Sequence, residues 1–259
     1  MSFRRWWIPR RLTQLAVIFL MLAPLAGLGF FRGNLASAEL LGLVLADPLA
    51  LLQVVLATGI VVPAFVGAAL LVVLFYWLLG GRTFCSWTCP VYLLTELADR
   101  LRQWLASGGR TFPLAAKYGA LAVTALLTAA TGLPLFETVS PIGMVTRALA
   151  FGGWAALSFL AGILVVEVVV SRRLWCRSLC PLGGFYSLVG KVSPVKVRFV
   201  AASCTRCGDC FPVCPVEEVL EPSIRRNDPL VRSGECTRCG RCIDVCPVSA
   251  LKMGIGYHA

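Results

Sequence analysis

Two cysteine runs near the C-terminus constrain this chain more than any other feature. Residues 204–215 read C-T-R-C-G-D-C-F-P-V-C-P, and residues 236–247 read C-T-R-C-G-R-C-I-D-V-C-P. Each is a C-x2-C-x2-C-x3-C-P unit. Three thiolates spaced in this way reach three irons of one cubane, and the fourth cysteine, after a longer step, ligates the other cluster. The spacing therefore predicts two [4Fe-4S] clusters. One is assigned to Cys204, Cys207, Cys210 and Cys246, the other to Cys236, Cys239, Cys242 and Cys214. Zinc knuckles and disulfides are the rival readings, but zinc sites use paired C-x2-C units and lack the C-x3-C-P ending. A domain of about 60 residues has a marginal core, so its clusters are expected to hold it folded.

The preceding residues are of another kind. The chain is 58% hydrophobic and only 14% charged, against roughly 25% charged for a soluble domain. Four apolar stretches, Leu12–Phe31, Leu56–Leu79, Tyr118–Phe136 and Phe151–Val170, are long enough to be expected as transmembrane helices. A cleaved twin-arginine signal at Arg10-Arg11, with small residues at Ala36-Ser37-Ala38, is the weaker reading of the first. Leu40–Leu45 and Leu49–Leu56 are too short to span and are expected as interfacial or re-entrant helices, and residues 137–150 as a loop. After Pro90 the pattern turns amphipathic: Leu94, Leu97, Leu101 and Trp104 oppose Glu96, Asp99, Arg100 and Gln103. That suits a helix in the interface plane, or a solvated connector. The net charge of +11 comes from basic residues flanking apolar segments. No basic groove motif points to nucleic acid. Lys and Arg crowd the N-terminus, residues 80–117 and the segment after the fourth stretch. The expected location is the inner membrane of a bacterium, with both termini and the cluster domain in the cytoplasm.

The chain also repeats itself. Gly81-Arg82-Thr83-Phe84-Cys85 matches Arg172-Arg173-Leu174-Trp175-Cys176, and each run continues as C-x3-C-P into a short helix. The prolines suit the first turn of those helices, which sets Cys89 and Cys180 near helix N-termini, where the dipole favours thiolate. Cys85, Cys89, Cys176 and Cys180 are thus candidates for a third cluster or metal site, or for redox-active thiols. A structural role as small buried hydrophobes stays open beside these. The expected fold is an all-α polytopic membrane domain over residues 1–195, with four transmembrane helices in a two-fold repeat (approximately 12–107 and 115–190). A small α+β domain carrying the two clusters, residues 196–259, follows it.

These features together resemble the NapH/MauN family of ferredoxin-type membrane proteins. The resemblance rests on G-R-T-F-C-S-W-T-C-P, R-L-W-C-R-S-L-C-P-L-G-G-F-Y, the two terminal cysteine runs, and the pieces Gly33-Asn34-Leu35, Asp47-Pro48 and Ser140-Pro141-Ile142. It implies oxidation of membrane quinol, with electrons passed to a partner iron–sulfur protein or c-type cytochrome of a periplasmic reductase. The alternatives are a redox-active assembly factor for a metalloenzyme and a membrane anchor for a partner ferredoxin.

Glu167 is the single acidic residue inside an apolar stretch and a candidate acceptor for a quinol proton; pairing with a nearby arginine is the plainer reading. Glu137 and Asp47 are weaker candidates. His258, the one histidine, is assigned no role.

Overall fold

The computed structural model describes residues 5–23, 31–33, 37–40, 42–105, 112–151 and 154–256. The chain divides into two compact units, each discontinuous in sequence. One comprises 1–15, 75–88 and 186–259; the other comprises 16–74 and 89–185.

No helix among the described residues is long and apolar enough to cross a membrane, so the expected four-span domain is corrected. The longest apolar helix, α3 (Pro63–Leu79, 17 residues), reaches only about 25 Å at 1.5 Å per residue, short of the ~30 Å of a hydrocarbon core. The punctuation explains the shortfall. The expected second stretch breaks where Gly59, left-handed at φ 69°, caps α2 (Pro48–Thr58), and the helix restarts at Pro63. Gly132, also left-handed, ends α5 (Ala116–Thr131). Helix α1 (Trp7–Leu22) and helix α8 (Trp154–Val169) have 16 residues each. The second half of the expected first stretch, and His258, lie outside the described residues.

The all-α expectation is corrected as well. Where an interfacial helix was expected at Leu40–Leu45, a meander forms from β1 (Phe31–Gly33), β2 (Ser37–Leu40) and β3 (Leu43–Ala46). It is antiparallel throughout, with Glu39 facing Val44 across the second pair. Gly42, at φ 85°, makes the turn between β2 and β3. Asp47 then caps α2, its carboxylate accepting from the N–H groups of Leu49 (2.7 Å) and Ala50 (3.1 Å). The expected loop at 137–150 is helical, as α6 (Leu135–Val139) and α7 (Pro141–Phe151).

Helix α4 (Val91–Trp104) forms after Pro90, as its pattern predicts, and leaves most of its apolar side chains exposed. Glu96, Asp99 and Arg102 are buried, while Leu97, Leu101 and Trp104 are exposed. The burial of these charged side chains has an electrostatic cause. Asp99 accepts from Arg172 (Nε 2.7 Å) and Arg173 (Nε 3.2 Å), and Arg102 donates to the carbonyls of Glu167 and Val168 at the end of α8.

In the first unit the terminal residues build a three-stranded antiparallel sheet with β4 (Val195–Phe199) central, β5 (Leu230–Val231) on one side and β6 (Leu251–Ile255) on the other. Val197, Phe199, Leu220, Leu230, Val231 and Leu251 form its core. The C-terminal part of α9 (Pro181–Val192) belongs to the same unit and meets an aromatic trio. Phe84 stacks on Tyr186 at 5.0 Å, and Tyr76 meets both edge-on at 5.4 and 5.3 Å. Backbone contact here is close enough to exclude side chains: a Cβ on Gly81, itself at φ 67°, would lie 2.4 Å from the Gly190 nitrogen. Gly81→Ala is therefore expected to cost on the order of 2–4 kcal/mol, combining left-handed strain with overpacking. A denaturation midpoint unchanged from the parent would refute this.

Candidate functional site

The eight terminal cysteines line two separate cavities. Cys204, Cys207, Cys210 and Cys246 surround one, together with Arg206, Gly208 and Ala250. Cys214, Cys236, Cys239 and Cys242 surround the other, with Thr237, Arg238 and Gly240. Each encloses ≈ 360 Å³ of empty space, open solvent included. Short helices α10 (Cys210–Val213) and α12 (Arg241–Val245) pack together between the two runs. They carry Cys210 and Cys242, the third cysteine of each run.

The twin loops share a backbone. In each C-T-R-C-G run the arginine is left-handed (Arg206 φ 57°, Arg238 φ 49°), and so is the glycine (Gly208 φ 86°, Gly240 φ 75°). This path turns an N–H group toward sulfur, Arg206 N–H donating to Cys204 Sγ at 3.4 Å; beyond the second run, Ala250 N–H donates to Cys246 Sγ at 3.3 Å. Such nests of N–H groups suit a negatively charged guest.

The chemistry of the donors fits an iron–sulfur cluster. Burial pushes the Cys242 thiol well up, and the neighbouring Cys214, Cys239 and Cys236 sulfurs push it further. Cys210 is raised by burial and by Cys207, Cys204 and Cys246. Thiolates crowded in this way need bound cationic metal to stay deprotonated. Four sulfurs around a cavity suit a polynuclear cluster.

The second loop is gripped from several directions. Arg82 Nη1 donates to Glu235 Oε2 at 2.6 Å and to the Glu235 carbonyl at 3.1 Å, both side chains being buried. Ser187 Oγ donates to the other Glu235 oxygen at 2.9 Å. Ser86 Oγ donates to the Thr237 carbonyl at 2.7 Å and Trp87 Nε1 to the Arg238 carbonyl at 3.2 Å. Gln14 Nε2 in turn donates to the Ser86 carbonyl, and Arg10 Nη1 to the Cys239 carbonyl. Trp6 meets Trp87 edge-on at 6.2 Å and closes over Gly240, where a Cβ would come within 2.3 Å of the Trp6 Cβ.

Sequence reasoning drew chemistry from the cysteines and passed over the residues between them. Arg82, Ser86 and Trp87 surround Cys85 in G-R-T-F-C-S-W-T and are the residues that hold the cluster loop. The presence of polar side chains inside an otherwise apolar stretch was the available signal.

Both early C-x3-C segments form single π-helical turns, Phe84–Thr88 and Trp175–Leu179. Cys85 lies in the first unit, and Cys89, Cys176 and Cys180 lie in the second. Cys89 is buried and the other three are half-buried. Cys176 Sγ is 3.9 Å from Thr95 Oγ1, and Cys180 Sγ accepts the Gly183 N–H at 3.4 Å in the first turn of α9.

Glu167 is buried in the second unit, and neither carboxylate oxygen has a hydrogen bond of normal geometry. Burial pushes its pKa up to about 7 against the pull of Arg173 and a weaker one from the Trp175 N–H. Asp47 is also raised to about 7 by burial, but its carboxylate is committed to the α2 cap. Arg173 is left-handed at φ 52° and lies 4.7 Å above the Tyr92 ring.

Comparison with known proteins agrees with this arrangement. Residues 196–247 match a family described as a 4Fe-4S dicluster domain. Residues 61–107 and 152–199 both match one described as a 4Fe-4S binding domain, so one family description fits each half of the repeat. The methylamine utilization ferredoxin-type protein MauN of Paracoccus denitrificans is 42% identical over 91% of this chain and 85% of its own length. MauN of Methylorubrum extorquens is 39% identical over 89% and 82%. The ferredoxin-type protein NapH of Escherichia coli is 33% identical over 83% and 77%. No solved structure matches. With its two four-cysteine cavities and this likeness along most of its length, the chain is an iron–sulfur electron-transfer protein and belongs to the NapH/MauN family of ferredoxin-type proteins.

Proposed function

We propose that the chain oxidises a quinol and passes the electrons, one at a time, through two [4Fe-4S] clusters to a partner iron–sulfur protein or c-type cytochrome. The observation that carries this reading is the pair of cavities, each lined by four cysteines from both runs. Cys204, Cys207, Cys210 and Cys246 hold one cluster, and Cys214, Cys236, Cys239 and Cys242 hold the other. Bound there, the clusters supply one-electron acceptance, which suits stepwise oxidation of a two-electron donor.

The two cavities differ in access. Cys207 is exposed, while Cys214, Cys239 and Cys242 are buried. The exposed edge beside Cys207, with Thr205 and Arg206, is the proposed exit toward the partner. Quinol oxidation also releases two protons. Glu167 takes one, because a carboxylate that titrates near 7 can hold a proton at neutral pH and return it; the other leaves to water. Arg173 keeps the emptied carboxylate tolerable between turnovers.

The proposed location is the inner membrane of a bacterium, with the cluster domain on the cytoplasmic side. Leu70 and Leu74 on α3, Leu126 on α5, and Trp154 and Val165 on α8 are exposed apolar side chains. Exposed apolar faces of this kind mark contact surfaces for membrane or protein. Recovery of the protein with the sedimented membrane fraction is expected; full recovery in the supernatant would contradict this location.

Replacing Cys207 or Cys239 with Ser is expected to destabilise the cluster domain and stop transfer from quinol. A variant that keeps its full iron content and its full rate would sink the two-cluster reading. The wild-type rate should rise as pH passes through about 7, where Glu167 loses its proton and becomes able to accept one. Glu167→Gln should lower quinol oxidation by about 10²-fold, as removal of a general base does, and flatten that rise. An unchanged pH profile in the Gln variant would remove Glu167 from the mechanism.

A further inference from the structure

We propose that three buried guanidinium groups, those of Arg10, Arg82 and Arg238, hold the cluster on Cys214, Cys236, Cys239 and Cys242 at a higher reduction potential than its twin. At equilibrium that cluster is the first of the two to be reduced, and the hop from it to the exit cluster beside Cys207 is uphill, drawn forward by oxidation at the partner. The proposal rests on the two-cluster reading and adds an order to it.

The argument begins from sameness. Both loops read C-T-R-C-G, and both place the arginine and the glycine in left-handed conformation. A difference in potential must therefore come from what surrounds each loop. Around the second loop the surroundings are cationic and dry. Arg10, Arg82 and Arg238 are 1%, 1% and 2% exposed. Their guanidinium groups donate to the main-chain carbonyls of Cys239, Glu235 and Cys236 respectively. Arg238 donates further to the carbonyls of Val195 and Gly190. Lys196, also buried, places its ammonium on the same Gly190 carbonyl at 2.9 Å. Among the described residues, the carboxylates of Glu235 and Asp244 oppose these cations. Glu235 is paired with Arg82, and half-buried Asp244 accepts the Trp6 N–H.

Around the first loop the matching charges are wet. Arg206, which occupies the motif position of Arg238, is exposed, and so is Asp209. Exposed charges act through high-dielectric solvent and are screened by salt, whereas buried ones act at short range with little screening.

Reduction adds one negative charge to a cluster already carrying four thiolates. Nearby buried cations stabilise the reduced form and raise the potential. Burial acts in the opposite direction, because desolvation penalises the more highly charged state. The Coulombic effect wins here. The two cavities differ only in degree of burial, from half-buried to buried sulfurs, but they differ in kind in fixed charge. The second loop has a surplus of dry cations, and the first has an exposed pair of opposite sign.

The test is a redox titration of the full chain with its clusters loaded, followed by electron paramagnetic resonance. Iron content and the presence of two titration waves check the underlying reading on their own. Fewer than two clusters in the unaltered protein would sink that reading, and the proposal with it. With two waves present, Arg238→Gln should lower the higher-potential wave and leave the other in place. Arg238→Lys, which keeps the charge, should restore much of that loss. Glu235→Gln should move the same wave upward, a direction that loss of structure alone does not explain. Arg206→Gln, which removes the exposed counterpart, should shift the lower-potential wave by less than Arg238→Gln shifts the higher one. The proposal is overturned if Arg238→Gln leaves both waves unmoved, if Arg206→Gln shifts a wave as far, or if Arg238→Lys falls as far as Gln while keeping its iron. Should Arg238→Gln fail to hold iron, Glu235→Gln decides: a rise upholds the proposal, and no change or a fall overturns it.

Discussion

The ion pair between Arg82 and Glu235 is the contact on which the ordering of the cluster loop turns. Burying two opposite charges is costly, because the attraction between them must offset the loss of water around both. The geometry meets that demand. Arg82 donates to the Glu235 carboxylate and to its carbonyl, and Ser187 satisfies the remaining carboxylate oxygen. A carboxylate held in this way fixes the residue next to Cys236. Ser86 and Trp87, on the same turn as Arg82, then fix the carbonyls of Thr237 and Arg238. Removing either partner of the pair would leave the other buried and uncompensated, so the pair acts as a condition for the loop more than as an additive contribution to stability.

That condition explains why one loop is rigidly enclosed while its twin is open. Identical local sequence produces identical backbone, since the left-handed arginine and glycine are set within five residues. Enclosure is not local. The Ser86 and Thr237 partners are 151 residues apart, and Arg10 and Cys239 are 229 apart. The first loop, with Thr205, Arg206 and Cys207 exposed, has no comparable clamp among the described contacts. A loop that must exchange electrons with another protein benefits from access, and a loop that stores an electron benefits from fixed dipoles that need not reorganise.

Legibility in the sequence follows the same division between near and far. The cysteine spacing and the helices that follow Pro90 and begin at Pro181 are encoded within a few residues, and could be read from them. The family resemblance was equally readable, because its motifs are contiguous. Three things were not. The meander at 31–46 hid inside a leucine-rich stretch, where periodicity is weak and the turn at Gly42 was the main clue. The apolar stretches looked long enough to span because hydrophobicity was counted through Gly59–Pro63 and Gly132–Pro134, which end helices. The buried face of α4 was the third, because a helical wheel ranks residues by polarity alone. It does not contain Arg172 and Arg173, which make the carboxylate side of α4 the side worth burying.

The internal repeat shows how the same device can be put to two uses. In each half a buried arginine stands three residues before the first cysteine of a π-helical turn, Arg82 in one and Arg173 in the other. Each pairs with a buried carboxylate. For Arg82 the carboxylate is Glu235, in the loop beside a cluster; for Arg173 it is Asp99, on α4, with the Tyr92 ring beneath the guanidinium. A π turn widens the helix by one residue and tends to survive where it serves a site. Here the widened turn and its arginine form a socket for an acidic side chain from elsewhere in the chain. In one half the socket receives the electron-carrying domain. In the other it receives a neighbouring helix, and Arg173 is left within electrostatic reach of Glu167. Duplication supplied two sockets, and the carboxylate that fills each one decides whether that half holds a cluster loop or a buried acid.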